Sequence, residues 1–292
     1  MRSRQQSVLL LAACVLFFGR QMLAEQEVTF EILATFDYPE ALHTFPGGIN
    51  ESGVIVGSFI NGVNQTQSFV RLTDGTFSDP IVYPTAQSTY LSDLNNTGTM
   101  CGSYLLDGTY HGFFLSGSTF TTFDLHTPNT LLRGVNDAGN FSGTTIDRGF
   151  VSIDGTLTMF DIPKQAIIDA YGINSSNQVV GGAVAVHGFE IEYSFRRDPD
   201  GKIVWPIRAP GFANTGMFGV NDKGRMVGFV TSLDAPTQAV FLRPPHRFAF
   251  FSYPGAIFTE FTDINNGGKI CGTYHSPDGK AHGFIVLVRG AD

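Results

Sequence analysis

Four carboxylates stand in comparable stretches of this chain: Asp93, Asp169, Glu260 and Asp263. Paired acids can cleave a glycosidic bond, one giving a proton while the other acts as base or nucleophile. The same stretches carry His43, Tyr90, Arg133 and Tyr171. Aromatic rings beside carboxylates, amides and a guanidinium also suit simple recognition of a sugar or peptide. Residue types alone do not choose between the two. The choice depends on whether the fold brings these side chains together.

Local motifs add little. The chain has no H-E-x-x-H, G-x-S-x-G, C-x-x-C, P-loop or EF-hand loop, and no sialidase-type S-x-D-x-G-x-T-W box. No histidine pair has metal-ligand spacing, so neither metal nor cofactor is expected. Without a local nucleophile or acid pair, no catalytic residue is assigned. If the chain is an enzyme, a lyase or glycosidase acting on polysaccharide, the catalytic residues are Asp93, Asp169, Glu260 and Asp263.

The elements that must position these residues come from an internal repeat. Its pattern is a hydrophobe, Asn, two variable residues, Gly, three residues and Gly, as in Ile49 to Gly57. The anchors are Asn50, Asn95, Asn136, Asn174, Asn221 and Asn265, spaced by 45, 41, 38, 47 and 44 residues. Asn opens a turn because its side chain bonds backbone two residues on. The Gly three positions later takes the left-handed conformation that closes a hairpin. Asn177 stands in that Gly place in the fourth copy and tolerates the same conformation. Three residues between the glycines form a short strand, and the second Gly permits close packing or a bulge.

Each copy continues to a strand around a Phe, then a Gly turn, then a strand that usually ends before Pro, as at Phe251 to Pro254. Four strands in about 43 residues is the period of a β-propeller blade. The expected fold is therefore all-β: a six-bladed propeller over residues 28–289, with four antiparallel strands per blade. An open solenoid or a sandwich is the alternative. Phe36-Asp37-Tyr38-Pro39 matches the fourth strand of a copy, whereas the last copy stops after its third. The first strand should therefore complete the last blade. In such a ring, the loop from each fourth strand to the next inner strand opens onto one face of the channel. His43, Tyr90, Asp93, Arg133, Asp169, Tyr171, Glu260 and Asp263 fall there, and they are the expected ligand contacts. Cys101 and Cys271 occupy the same strand site in blades two and six, which are not neighbours, so they read as buried thiols rather than a disulfide.

Composition agrees with export of such a domain. Apolar residues make up 42% of the chain and charged ones only 15%, which excludes a disordered polymer. The formal charge is −8, a surface that repels phosphate backbones and excludes nucleic acid as a partner. Residues 1–24 read as a signal peptide: Arg2 and Arg4, then an apolar run from Ser7 to Phe18, then Ala24 before polar Glu25. The run is too short to span a bilayer. Leu11-Ala12-Ala13-Cys14 also resembles a lipobox, which would anchor the chain through Cys14 instead. The reading is a secreted monomer whose partner is a carbohydrate or extracellular polymer.

The copies resemble the HAF extracellular repeat family, whose unit runs G-I-N-x-x-G-x-I-V-G, then H-G-F, then F-D-x-P-G-A. Gly172-Ile173-Asn174, Tyr110-His111-Gly112-Phe113, His282-Gly283-Phe284 and Tyr253-Pro254-Gly255-Ala256 carry the likeness. Only His111, His187 and His282 keep the histidine. The resemblance implies export and a repeat architecture, and it implies no reaction.

Overall fold

The turn motif folds as its residues dictate. Asn50 Oδ1 accepts from the N–H groups of Gly53 and Val54 at 3.1 and 3.0 Å, and Gly53 N–H bonds the Asn50 carbonyl at 3.0 Å. Gly53 has φ +90°, and Asn177 takes φ +61° at the equivalent place. These turns join strand pairs all along the chain. The computed structural model describes residues 27–125, 127, 129–185 and 192–290. The leader expected over 1–24, Cys14 within it, and His187 lie outside the described residues.

Six antiparallel sheets result. After β1 (Thr29–Phe36), blade 1 holds β2 (His43–Ile49), β3 (Ile55–Ile60) and β4 (Thr66–Arg71). Its fourth strand is reduced to two bridges, Ser68 with Ile81 and Arg71 with Phe77. Pro80 lies between them and brings no N–H donor. Blade 2 holds β5 (Ser88–Leu94), β6 (Thr99–Leu106), β7 (Thr109–Ser116) and β8 (Thr119–Phe123). Blade 3 holds β9 (Leu131–Val135), β10 (Phe141–Thr144), β11 (Gly149–Ile153) and β12 (Thr156–Phe160). Blade 4 holds β13 (Gln165–Ile173), β14 (Val179–Ala185), β15 (Glu192–Arg197) and β16 (Ile203–Ile207). Blade 5 holds β17 (Asn214–Val220), β18 (Met226–Thr231), β19 (Gln238–Arg243) and β20 (Arg247–Phe251). Blade 6 holds β21 (Phe258–Ile264), β22 (Lys269–His275) and β23 (Ala281–Arg289).

Blade 6 is finished by β1, which pairs with β23 from Thr29↔Arg289 to Phe36↔Gly283. The inner strands β2, β5, β9, β13, β17 and β21 each pack against the next, β21 against β2 included. The molecule is thus a closed six-bladed β-propeller. Its core lies between blades. The third-strand phenylalanines Phe69, Phe113, Phe150, Phe195, Phe241 and Phe284 are all fully buried. Burying a Phe side chain stabilises by about 1.5–3 kcal/mol. Phe30 carries β1 into this core, 5.3 Å from Phe261 and 5.5 Å from Phe251, ring centre to centre. Cys101 and Cys271 are buried free thiols. Among the described residues no helix is long and apolar enough to cross a membrane.

Candidate functional site

Regular strands alternate sides, and the inner strands break that rule at one place. In β5 and β21 burial alternates until Ser92-Asp93 and Thr262-Asp263, where two consecutive side chains stay half-buried. The register slips there, between Leu91 and Asp93 and between Phe261 and Asp263. The same slip skips Arg133 in β9, Phe218 in β17, Tyr171-Gly172 in β13 and Gly47-Gly48 in β2. These are β-bulges, which re-aim a side chain. The motif's second Gly lies opposite. A Cβ on Gly181 would sit 1.9 Å from Asp169 O, and one on Gly228 would sit 1.9 Å from Gly216 O. Only glycine admits the bulged backbone so closely.

The bulges turn one residue per blade, three before the motif Asn, toward the channel. The residues are Gly47, Ser92, Arg133, Tyr171, Phe218 and Thr262, and all six line one mouth. Phe45, Tyr90 and Ser58 join them around a cavity of about 250 Å³. The Arg133 guanidinium lies over the Tyr171 ring, 5.3 Å from its centre. Tyr171 meets Phe218 edge to face at 4.8 Å. The cavity is below the roughly 300–1,000 Å³ of drug-sized pockets, so it suits one ring-sized unit.

Below the mouth, Asp93 and Asp263 face a second chamber of about 90 Å³ near the turn motifs. Each carboxylate bonds across a blade boundary. Asp93 Oδ2 accepts from Val135 N–H at 2.9 Å, and Asp263 Oδ2 accepts from Ile49 N–H at 2.9 Å. Asp93 Oδ1 also takes Leu94 N–H at 2.7 Å. Enclosure by protein raises the Asp93 carboxyl well above the usual carboxylate range, and the charge of Asp263 adds to it. Burial likewise pushes Asp263 up to about 7.

The motif asparagines close this end. Asn95 Nδ2 donates to Asn136 O, Asn136 Nδ2 to Asn174 O and Asn174 Nδ2 to Asn221 O, each at 3.0 Å. Asn221 Nδ2 continues to Asn265 O at 3.1 Å, and Asn265 Nδ2 to Asn50 O at 3.0 Å. A second relay lies outside it: Ser175 N–H bonds Asp222 Oδ1, Asp222 N–H bonds Asn266 Oδ1, and Asn266 N–H bonds Glu51 Oε1, all at 2.8 Å. Turn chemistry therefore accounts for only half of the role of Asn95, Asn136, Asn174, Asn221 and Asn265. The amide nitrogen ties its blade to the next.

The expected contacts divide. Tyr90, Arg133 and Tyr171 line the mouth, whereas Asp93 and Asp263 belong to the lower chamber. Asp169 and Glu260 occupy the ring above the bulge. Burial raises Asp169 against the opposing pull of Arg133, and burial alone pushes Glu260 up to about 7. His43 takes a structural place, accepting Ala281 N–H on Nδ1 at 3.1 Å. All eight expected contacts lie inside strands rather than in loops. Gly47, Ser92, Phe218 and Thr262 complete the mouth, and their common offset from the Asn is the signal that finds them.

One other arrangement has catalytic geometry. His282 Nδ1 lies 2.9 Å from Asp37 Oδ1, and its Nε2 lies 3.1 Å from Ser276 Oγ, the order of a Ser-His-Asp triad. Ser276, however, donates its hydroxyl to Asp278 within its own turn. The same His–Asp pair recurs without serine in blade 2, His111 to Asp124 at 2.8 Å. In blade 3 Arg148 and Asp161 occupy the site. It is a brace between the third and outer strands. Among the described residues no group of three or more His, Cys, Asp or Glu side chains is set to hold a metal.

Known structures share this architecture. A protein described as TolB from Agrobacterium tumefaciens superposes with TM-score 0.59 at 11% identity, over 86% of this chain and 91% of that one. A triple arginine-to-alanine mutant of AofleA from Arthrobotrys oligospora gives TM-score 0.58 at 11% identity, over 90% and 88%. A mutant Aleuria aurantia lectin in complex with alpha-methyl-L-fucoside gives 0.52 at 9% identity, over 91% and 95%. At such identities the likeness is one of fold. No family model matches the chain, and no curated protein matches its sequence.

Proposed function

We propose that this is an exported binding propeller of the HAF extracellular repeat type, with a carbohydrate unit held in the axial mouth. One observation carries the reading. Where the six copies differ most along the channel, aromatic rings, hydroxyls and one guanidinium converge on a single ring-sized cavity. Flat aromatic faces beside polar groups are what a sugar ring requires. A lectin of the same fold in complex with a fucoside supports the class of ligand. The signal-like residues 1–24, with cleavage after Ala24, support export. The domain of 28–289 is the part that would reach the outside.

The exported chain and its Phe218→Ala variant, applied to a glycan array, test this. Retention of a glycan by the native chain and its loss by the variant support the reading. Failure to retain any glycan overturns it.

A second reading, cleavage of polysaccharide, draws on the two enclosed carboxyls Asp93 and Asp263. Their oxygens already accept backbone N–H groups, and their chamber of about 90 Å³ is too small for a sugar ring. Incubating array hits with the chain separates the two readings, since product release would favour catalysis.

A further inference from the structure

The mouth is lopsided. From blades 3, 4 and 5 the bulges present Arg133, Tyr171 and Phe218, a continuous wall of cation over ring and ring against ring. From blades 6, 1 and 2 they present Thr262, Gly47 and Ser92. The room lies on this second side. A Cβ on Gly47 would come within 2.6 Å of Ser92 O, so that position is held open by backbone crowding. The result is a slot with Tyr171, Phe218 and one cation on one side, and the hydroxyls of Ser92 and Thr262 together with Phe45 and Tyr90 on the other.

Arg133 lies near enough to Asp169 to pull its carboxyl down, yet it is not paired with it. Among the described residues no carboxylate lies within ion-pair distance of it, and its buried Nε has no partner. A guanidinium held by a ring face rather than by an acid keeps its donors for another group. Its planar fork binds a carboxylate through two parallel N–H···O bonds. Burial pushes Glu260 up to about 7, so that acid carries less than a full charge near neutral pH, and it raises Asp169 in the same direction. A dianionic phosphate would feel twice the residual repulsion of a monoanion.

We propose that the mouth selects a carboxylated sugar, with the carboxylate on Arg133, one ring face against Tyr171 and Phe218, and the hydroxyls toward Ser92 and Thr262. The inference rests on the carbohydrate reading above and narrows it to uronic-acid-type units.

Calorimetric titration of the full chain tests it, with the methyl glycosides of galacturonate and glucuronate against those of galactose and glucose. At least one acidic glycoside is expected to bind tenfold or more tightly than its neutral counterpart. Arg133→Ala is expected to erase that preference, read as the ratio of acidic to neutral affinity within the variant itself. Arg133→Lys, which keeps the charge but not the fork, is expected to restore part of it. Equal binding of acidic and neutral sugars by the native chain overturns this inference and leaves the carbohydrate reading standing. A preference that survives in folded Arg133→Ala also overturns it. Failure of every sugar to bind overturns both.

Discussion

The two ends of the channel are built from the same inner strands and show opposite chemistry. At the turn end, every blade supplies the same Asn, and five hydrogen bonds pass a motif amide to the next blade's carbonyl. At the mouth, only a few residues earlier, the six blades supply Gly47, Ser92, Arg133, Tyr171, Phe218 and Thr262. Repetition marks what a ring needs at every seam. Divergence marks what the scaffold leaves free. The bulge between them lets one strand do both, since two consecutive side chains turn to the channel instead of one.

The strongest way to break this comparison is to remove the bulge itself. Gly228→Ala would put a methyl 1.9 Å from Gly216 O and 2.9 Å from Met217 Cα, both backbone. We expect a loss of about 3 kcal/mol or more, read as a lower urea midpoint. A native midpoint would show that the bulge does not depend on glycine. Next comes Asn221→Ala, which removes acceptance from Lys223 and Arg225 N–H and donation to Asn265 O. Three bonds at roughly 1 kcal/mol each predict a loss of about 2–3 kcal/mol, with mouth binding intact in the folded fraction.

Asp263 sharpens the contrast through pH. Its carboxyl is raised to about 7 in the fold, so the folded state keeps a proton that the unfolded chain releases near pH 4. That contribution to stability is full below pH ~4 and is lost as pH rises to about 7. Asp93 shifts in the same direction. Unfolding midpoints should therefore fall between pH 5 and pH 8, and Asp263→Asn should flatten the fall without abolishing it. An unchanged slope in that variant would remove Asp263 from the account. The smallest effect on stability is expected at the mouth. Tyr171→Ala and Phe218→Ala, both half-buried, should cost about 1–2 kcal/mol, measured by the same urea titration.

Much of the fold was legible in residue spacing. The recurring Asn and Gly predicted the turns, the period of about 43 residues predicted the blades, and Phe36-Asp37-Tyr38-Pro39 predicted a first strand that finishes the last sheet. The His–Asp brace was half legible, because His111 and Asp124 sit in repeated positions yet pair only across strands. The site was less legible. A periodic reading gives one channel-facing residue in two, so it cannot tell that Asp93 and Ser92 both face inward. The bulge separates them by depth, sending Ser92 to the mouth and Asp93 to the lower chamber. The second role of five of the motif asparagines was also hidden, since the receiving carbonyl lies 38 to 47 residues away in sequence for four of them and 215 away for Asn265.

The most direct test of the central claim is one titration series on three folded proteins: the native chain, Asn221→Ala and Phe218→Ala, each with the glycan that the array selects. The account predicts native affinity in Asn221→Ala despite its lower stability, and at least a tenfold loss in Phe218→Ala. Equal affinity in all three, or a loss confined to Asn221→Ala, would contradict it.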